Sequence, residues 1–433
     1  MSRATPSPPR GDDPTTPRRA GVLLPVASLP GGRLGRAALA FVDWLADAGQ
    51  AWWQVLPITP PDRYGSPYAS PSAFASWPGY LAAPRAAVSA GQISDFRERN
   101  GYWIDDWART AGPGALEDQV RIDREWRSLR DHAASRGVRI LGDLPFYVAP
   151  RAADVRAHPG LFRSDTVAGV PPDAFTADGQ LWGNPTYDWA AMRADRYRWW
   201  TERLRRSREL FDCSRIDHFR AFVAWWAVPR GARTARSGRW RRGPGAEVID
   251  TARARLGPLS LVAEDLGVIT PPVRRLMERL GLPGTRVIQF AFEGGPRNDH
   301  RLENHPRRAL AYSGTHDNQT AAGWWGTASE TVRERAAAAA VAAGIVGEPP
   351  HRLLVRLALA SPAGLAIVPV QDLLGLGDEA RLNTPGTRHG NWSWRLRGGQ
   401  LTAEGAAWLR EATEATGRLP GPAPVSEPRA PGS

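Results

Sequence analysis

Three apolar runs in this chain of 433 residues each end in a carboxylate. They are Cys213-Ser214-Arg215-Ile216-Asp217-His218-Phe219-Arg220, Leu261-Val262-Ala263-Glu264-Asp265-Leu266-Gly267 and Tyr312-Ser313-Gly314-Thr315-His316-Asp317-Asn318. Acids, Arg and His at such positions are poor core material. They suit the mouth of an α/β barrel, where strand ends carry reactive groups. Carboxylates delivered in this way match the chemistry of glycosidic bonds. In a retaining displacement one carboxylate attacks the anomeric carbon while an acid protonates the leaving oxygen, with the two groups about 5–5.5 Å apart. Asp217, Glu264 and Asp317 are therefore the candidate catalytic residues. A lone Asp at a strand end serves equally well as a helix cap or an Arg partner. The repetition, each time beside His, Arg or Asn, is what points to a site.

The neighbours of these carboxylates fit the same chemistry. A nucleophile must stay ionised, and Arg215 lies two residues before Asp217 on the same strand face. An acid must stay protonated near neutral pH. The apolar lead-in Leu261-Val262-Ala263 and a nearby carboxylate both push Glu264 upward. Asp265 points to the opposite face if the strand continues and reads as structural. His218 reads as a support for Asp217. Asp143 ends another strand and is expected to meet substrate hydroxyls or a neighbouring Arg. Trp182 stands in a Gly/Asn/Pro stretch, Gly179 to Pro185, where a flat ring can stack on a sugar face. Most of the 19 Trp, notably Trp52, Trp199 and Trp200, read as core. No Gly-rich phosphate loop follows a strand and no His/Cys cluster has metal spacing, so no cofactor and no metal are expected.

Eight strands separated by helices are needed to carry these groups. The pattern predicts strands at 21–25, 51–57, 138–143, up to Asp217, up to Glu264, 285–292, 309–315 and 364–370. Helices are predicted over 37–48, 118–134, 190–211, 246–256, 271–280, 329–343 and 351–360. The fold class is therefore α/β, a (β/α)8 TIM barrel with excursions inserted after strands two and three. The barrel is expected over 21–418, with a reduced, partly helical insertion at 81–118. A long segment rich in Pro, Gly, Asp and Trp at 144–189 reads as a functional lid. Residues 1–20 and 419–433, rich in Pro, read as disordered tails.

The composition is that of a globular protein, 42% hydrophobic and 23% charged. The net charge of +12 raises nucleic-acid binding. Every basic residue is Arg, none is Lys, and the Arg are scattered, with Arg239-Trp240-Arg241-Arg242 the densest internal run. That pattern reflects compositional bias, and no nucleic-acid partner is expected. The single Cys213 excludes an intramolecular disulfide framework and fits a reducing compartment. No apolar run approaches the roughly 18 residues of a membrane span, and the N-terminal residues lack the apolar region of a secretory signal. A cytoplasmic location without membrane partners is the expectation.

The chain resembles the 4-α-glucanotransferases, also called amylomaltases or disproportionating enzymes (glycoside hydrolase family 77), from about Gly21 to Leu396. The resemblance rests on Leu23-Leu24-Pro25 with Ser28-Leu29-Pro30-Gly31, Trp53-Gln54-Val55-Leu56-Pro57, Ser66-Pro67-Tyr68 and Gly142-Asp143-Leu144-Pro145. It continues through Gly179-Gln180-Leu181-Trp182-Gly183-Asn184-Pro185, the three carboxylate stretches and Asn383-Thr384-Pro385-Gly386-Thr387. It implies that Asp217 is the nucleophile, Glu264 the acid/base, and Asp317 the carboxylate that binds sugar hydroxyls. It also implies that Arg215 keeps the nucleophile ionised and that His316 and Tyr68 line the cleaved sugar. Gln180, Trp182 and Asn184 would lie in a lid, with Phe175 beside them in contact with substrate, and Tyr64 would meet an outer part of the glucan. The implied substrates are α-1,4-glucans and maltooligosaccharides, passed between chains through a covalent glucosyl-enzyme. The chain departs from the family at Ala174, where Tyr is usual, at Gln319, where an acid is usual, and in its short 81–118 segment. An α-glucan hydrolase of amylase type is the nearest alternative, and a catalytically silent glucan-binding protein is the alternative of another class.

Overall fold

Short β-branched and aliphatic runs, each closed by a polar turn, become strands too short to stand without neighbours on both sides. The computed structural model describes residues 13–172 and 176–421. Among them the strands are, in chain order, β1 (Arg19–Leu23), β2 (Trp52–Gln54), β3 (Arg139–Leu144), β4 (Phe162–Val170), β5 (Gln180–Tyr187) and β6 (Cys213–Ile216). They continue as β7 (Ala224–Pro229), β8 (Arg239–Arg242), β9 (Leu261–Ala263), β10 (Gly284–Val287), β11 (Ala309–Tyr312) and β12 (Leu365–Pro369). Eight of them form one parallel sheet in the order β10-β11-β12-β1-β2-β3-β6-β9. The two ends meet where the Ala263 N–H donates to the Pro283 carbonyl at 2.9 Å. This is the expected (β/α)8 barrel.

Asp265 seals that seam. One of its oxygens accepts from the Thr285 N–H at 2.5 Å and the Thr285 hydroxyl at 3.0 Å, and the other from Arg286 at 3.0 Å. It is buried and structural, as its place opposite Glu264 implied. The barrel interior is filled from every strand, by Leu23, Trp52, Leu141, Cys213, Val262, Val287, Leu310, Tyr312, Leu365 and Ile367. The outward faces pack beneath helices such as Arg36–Asp47, Ala115–Ser135, Arg198–Leu210 and Pro350–Ala360. Gly142 in β3 has no room for a side chain, because a Cβ there would lie 2.2 Å from the Phe211 ring. None of the described helices is long and apolar enough to cross a membrane.

Several expectations change. The segment 144–189 is not a structureless lid: it holds the helix Ala153–Ala157 and the hairpin β4–β5. With β7 and β8 this hairpin builds a second, antiparallel sheet in the order β5-β4-β7-β8. Register shifts within β4–β5 blur the two-residue alternation that would have announced it. The helix expected over 190–211 is two, Trp189–Ala194 and Arg198–Leu210, broken where Arg196 and Tyr197 adopt φ of 50° and 53°. The buried Tyr197 donates its hydroxyl to Glu247 at 2.7 Å, a long-range contact that local periodicity does not report. The strand expected over 285–292 stops at Val287 and turns into the 3-10 helix Ile288–Phe290. The segment 81–118 contains the helices Ala90–Asn100 and Ile104–Ala111.

The tail expected over 1–20 does not extend to Ala20, since β1 begins at Arg19 and Thr15 is buried. A C-terminal helix with no expectation attached to it, Ala403–Glu414, is capped by Thr402 and leads into Arg418. Arg418 is fully buried and donates to the carbonyls of Leu359, Arg19, Ser361 and Ala363 at 2.6–2.9 Å. It ties the chain's end to the first and last barrel strands. Removing the guanidinium strands several buried acceptors, each worth about 1–3 kcal/mol. Arg418→Met should therefore lower unfolding free energy by at least about 3 kcal/mol in urea titrations, while Arg410→Met, on the exposed face of the C-terminal helix, should change it little.

Candidate active site

The parallel pairing of β3 with β6 sets Asp143 directly beside Arg215 in register. One terminal nitrogen of Arg215 lies 2.8 Å from both oxygens of Asp143. The other lies 3.0 Å from Oδ1 of Asp217. The side chain of Asp143 is fully covered and that of Arg215 is 7% exposed, while that of Asp217, 30% exposed, opens toward solvent. Arg215 therefore faces the nucleophile candidate, as its spacing implied. Of the two partners expected for Asp143, substrate hydroxyls or a neighbouring Arg, the structure shows the Arg: its carboxylate lies between Arg215 and Tyr68.

Glu264 follows β9 and is held by the loop that carries Asp217. Its N–H donates to the Ile216 carbonyl at 3.0 Å. Its two oxygens accept from the N–H groups of His218 at 2.8 Å and Leu266 at 2.6 Å. His218 takes the left-handed conformation, φ 50°, as the chain turns past Asp217. Burial pushes Glu264 up to about 7, opposed by Arg215 and assisted by the charge of Asp217. Burial also raises Asp217, to about 6, again opposed by Arg215 and assisted by Asp143 and Asp317. The order leaves a window in which Asp217 is ionised and Glu264 is protonated. Burial lowers His218 to about 3, so its ring is neutral.

The third carboxylate stands on the opposite wall. Oδ1 of Asp317 accepts from the Asn383 amide at 2.6 Å, and Arg381 donates to the Asp317 carbonyl at 2.7 Å. Nε2 of His316 lies 3.4 Å from Oδ2 of Asp317 and 2.9 Å from the Tyr68 hydroxyl. That hydroxyl has one proton, which it gives to Asp143 at 2.6 Å. The contact with His316 is therefore made by a hydrogen on Nε2. The rings of Tyr68 and His316 stack, 5.3 Å apart and 11° from parallel.

Asp217, Asp317, His316 and Tyr68 line a groove of about 740 Å³, while Glu264, Arg215 and Asp143 stand behind its wall and do not border it. Tyr64, Tyr68, Gln180, Trp182, Asn184, Asp217, His316 and Asp317 all border it. Trp182 is 38% exposed and its indole N–H donates to Gln180 at 3.0 Å. Asn184 is anchored on the Val148 carbonyl at 2.8 Å. Tyr64 meets His389 edge-on and carries Arg63 on its face. Phe175 and Ala174 lie outside the described residues. The groove also includes residues to which the sequence reading gave no role: Tyr147, Asn383 and Trp392. Asn383 sat in a quoted motif, and Trp392 lies in a stretch rich in Gly and Asn, but nothing local ties either to Asp317 or Tyr68. His218 borders the groove as well, which goes beyond the supporting role expected of it.

The chain matches the family model described as 4-alpha-glucanotransferase over residues 24–90 and 118–402. The chain belongs to the 4-alpha-glucanotransferase family. It is 38% identical to the 4-alpha-glucanotransferase of Thermus thermophilus, covering 93% of this chain and 99% of that protein. With the chloroplastic/amyloplastic 4-alpha-glucanotransferase of Arabidopsis thaliana it shares 37% identity, over 89% of this chain and 82% of that protein. Its fold superposes on the amylomaltase from Streptococcus agalactiae in complex with acarbose with a TM-score of 0.87 at 28% identity, covering 93% of this chain and 100% of that one. The alignment with the Thermus protein runs over 499 positions against 433 residues here, so that relative carries segments this glucanotransferase lacks.

One departure from the family has a local explanation. Gln319 donates its amide to Asp378 at 2.6 Å and accepts from Thr327 at 3.2 Å. An acid there would set two carboxylates against each other. Like charges at this distance raise each other's pKa in the folded state, so the cost appears above the carboxylate range and vanishes as pH falls through it. Gln319→Glu should lose about 1 kcal/mol of stability at neutral pH and none at pH 3, as read by denaturant unfolding at the two pH values.

Proposed function

We propose that Asp217 is the nucleophile and Glu264 the acid/base in glucan transfer by this 4-alpha-glucanotransferase, with Asp317 gripping the sugar between them. The observation that carries this reading is Arg215, a buried cation 3.0 Å from Asp217 that opposes the effect of burial. In the first step Glu264 gives its proton to the glycosidic oxygen, Asp217 bonds to the anomeric carbon, and the reducing-end fragment leaves. In the second, Glu264 takes the proton from the 4-hydroxyl of an acceptor glucan, whose oxygen displaces Asp217. The carboxyl returns to its starting state and no cofactor is consumed. Asp317, oriented by Asn383, keeps Oδ2 for sugar hydroxyls. Tyr68 and His316 form a flat wall for the cleaved sugar, and Trp182 a stacking surface over the groove. The substrates in this reading are α-1,4-glucans and maltooligosaccharides. A cytoplasmic setting agrees with the one buried thiol, Cys213, which burial pushes up to about 12 and leaves unreactive.

Incubation with maltotriose should yield glucose and longer oligomers without any additive. Products consisting only of hydrolysis fragments would instead mark an amylase-type hydrolase. Asp217→Asn should abolish both glucose release and chain lengthening by several orders of magnitude with folding retained, since an amide of the same shape is no nucleophile.

The pH profile tests the Arg215 arrangement. Activity should fall below about 6 as Asp217 gains a proton and above about 7 as Glu264 loses one. The negative charge of Asp143 raises Asp217. Asp143→Asn should therefore move the acid limb of kcat/KM to lower pH while lowering kcat, because Arg215 loses its anchor. An acid limb that stays put would assign Asp143 to folding alone.

A further inference from the structure

Beside the groove, the turn after Asp217 meets the loop that follows Glu264. His218, which borders the groove, packs edge-on against Trp182 with ring centroids 4.8 Å apart. Two residues later Arg220 leaves the groove and lays its guanidinium over the ring of Trp240, 4.0 Å from the ring centre. Arg220 also donates to the Val268 carbonyl at 2.9 Å. Val268 belongs to the loop that begins at Glu264. Trp240, in β8, is propped from the side by Trp226 at 5.2 Å and 69°. Trp240 and Val268 are nevertheless 44% and 66% exposed. The half-buried Arg220 feels the charge of Glu264, and its buried Nε has no hydrogen-bond partner.

This is an unusual use of an indole. A Trp needed only for packing is covered, whereas this one is held rigid by a cation and a second Trp while its remaining surface faces solvent. A rigid, partly exposed ring loses little freedom when a ligand covers it. The position decides the ligand. An acid/base acts on the oxygen between the cleaved sugar and the leaving sugar, so the leaving and incoming chains extend on the Glu264 side. Neutral pyranoses present a C–H face that stacks on an aromatic ring and hydroxyls that accept from a guanidinium.

We propose that Trp240, backed by Arg220 and bordered by Val268, is an outer acceptor subsite for α-glucan, reached by the second or third glucose of the incoming chain. It rests on Glu264 being the acid/base. Glucose as acceptor is too short to reach it and maltotriose is long enough.

The test uses the full chain with an activated maltooligosaccharide donor and measures KM for maltotriose and for glucose as acceptors. In Trp240→Ala the ratio of the maltotriose KM to the glucose KM should rise about fivefold, the loss of one aromatic contact. Trp240→Phe, which keeps a flat ring, should recover most of the difference and also serves if the Ala variant folds poorly. A ratio within twofold of wild type in a folded Ala variant, with transfer intact, overturns the subsite alone. A wild-type protein that transfers to neither acceptor overturns the reading of Glu264 and the subsite with it. A Trp240→Ala variant that changes only self-association in sedimentation assigns the surface to a second copy of this chain and overturns the sugar assignment.

Discussion

A buried guanidinium shared by two carboxylates is the contact on which the rest of the site depends. Arg215 sits deep in the barrel mouth, where an isolated cation would be strongly disfavoured. Asp143 supplies a full counter-charge at 2.8 Å, and Asp217 takes the remaining direction of the fork. The arrangement leaves Arg215 little freedom, so Asp217 has a fixed partner at a fixed place. It also makes Asp143 serve two walls at once. The same carboxylate that anchors Arg215 accepts the Tyr68 proton, and that settles which His316 nitrogen carries hydrogen. Asp217 and Asp317 are thereby joined through one continuous polar network rather than placed independently.

Glu264 is tied both to the Asp217 loop and to the barrel seam. Glu264 and Asp265 are neighbours with opposite duties. Glu264 is gripped by the backbone of the Asp217 loop, while Asp265 closes the barrel between β9 and β10. Any shift of that seam would move Glu264 relative to Asp217. A closed barrel therefore fixes the geometry of these two carboxylates. The C-terminal clamp at Arg418 serves the same end from the far side of the sheet, joining residues next to β1 and β12.

The second sheet gives the groove one wall through β5. β5 brings Gln180, Trp182 and Asn184 over the groove, and β8 lies three strands away at the edge, carrying Trp240. One small sheet thus runs from the groove wall at β5 to the exposed edge at β8.

The sequence by itself determined the barrel and named three candidate carboxylates at its strand ends, because both are local signals. Apolar runs closed by acids mark strand ends, and a two-residue spacing places Arg215 and Asp217 on one face whatever surrounds them. Asp265 was legible for the same reason, since adjacent residues on a strand face opposite ways. The second sheet was not legible: its strands carry Arg, Trp, Gly and Pro without clean alternation and are interrupted by register shifts, so their pairing depends on partners far along the chain. Nor was the burial of Asp143, which reads as a strand-end acid like the others. Only the register of β3 against β6 and the approach of Tyr68 decide which of its two expected partners it meets, the guanidinium of Arg215. Asn383 meets Asp317, and Trp240 meets Arg220, for the same reason. Local chemistry names the groups, but which of them touch is set by strand order and chain closure, which no short stretch of sequence contains.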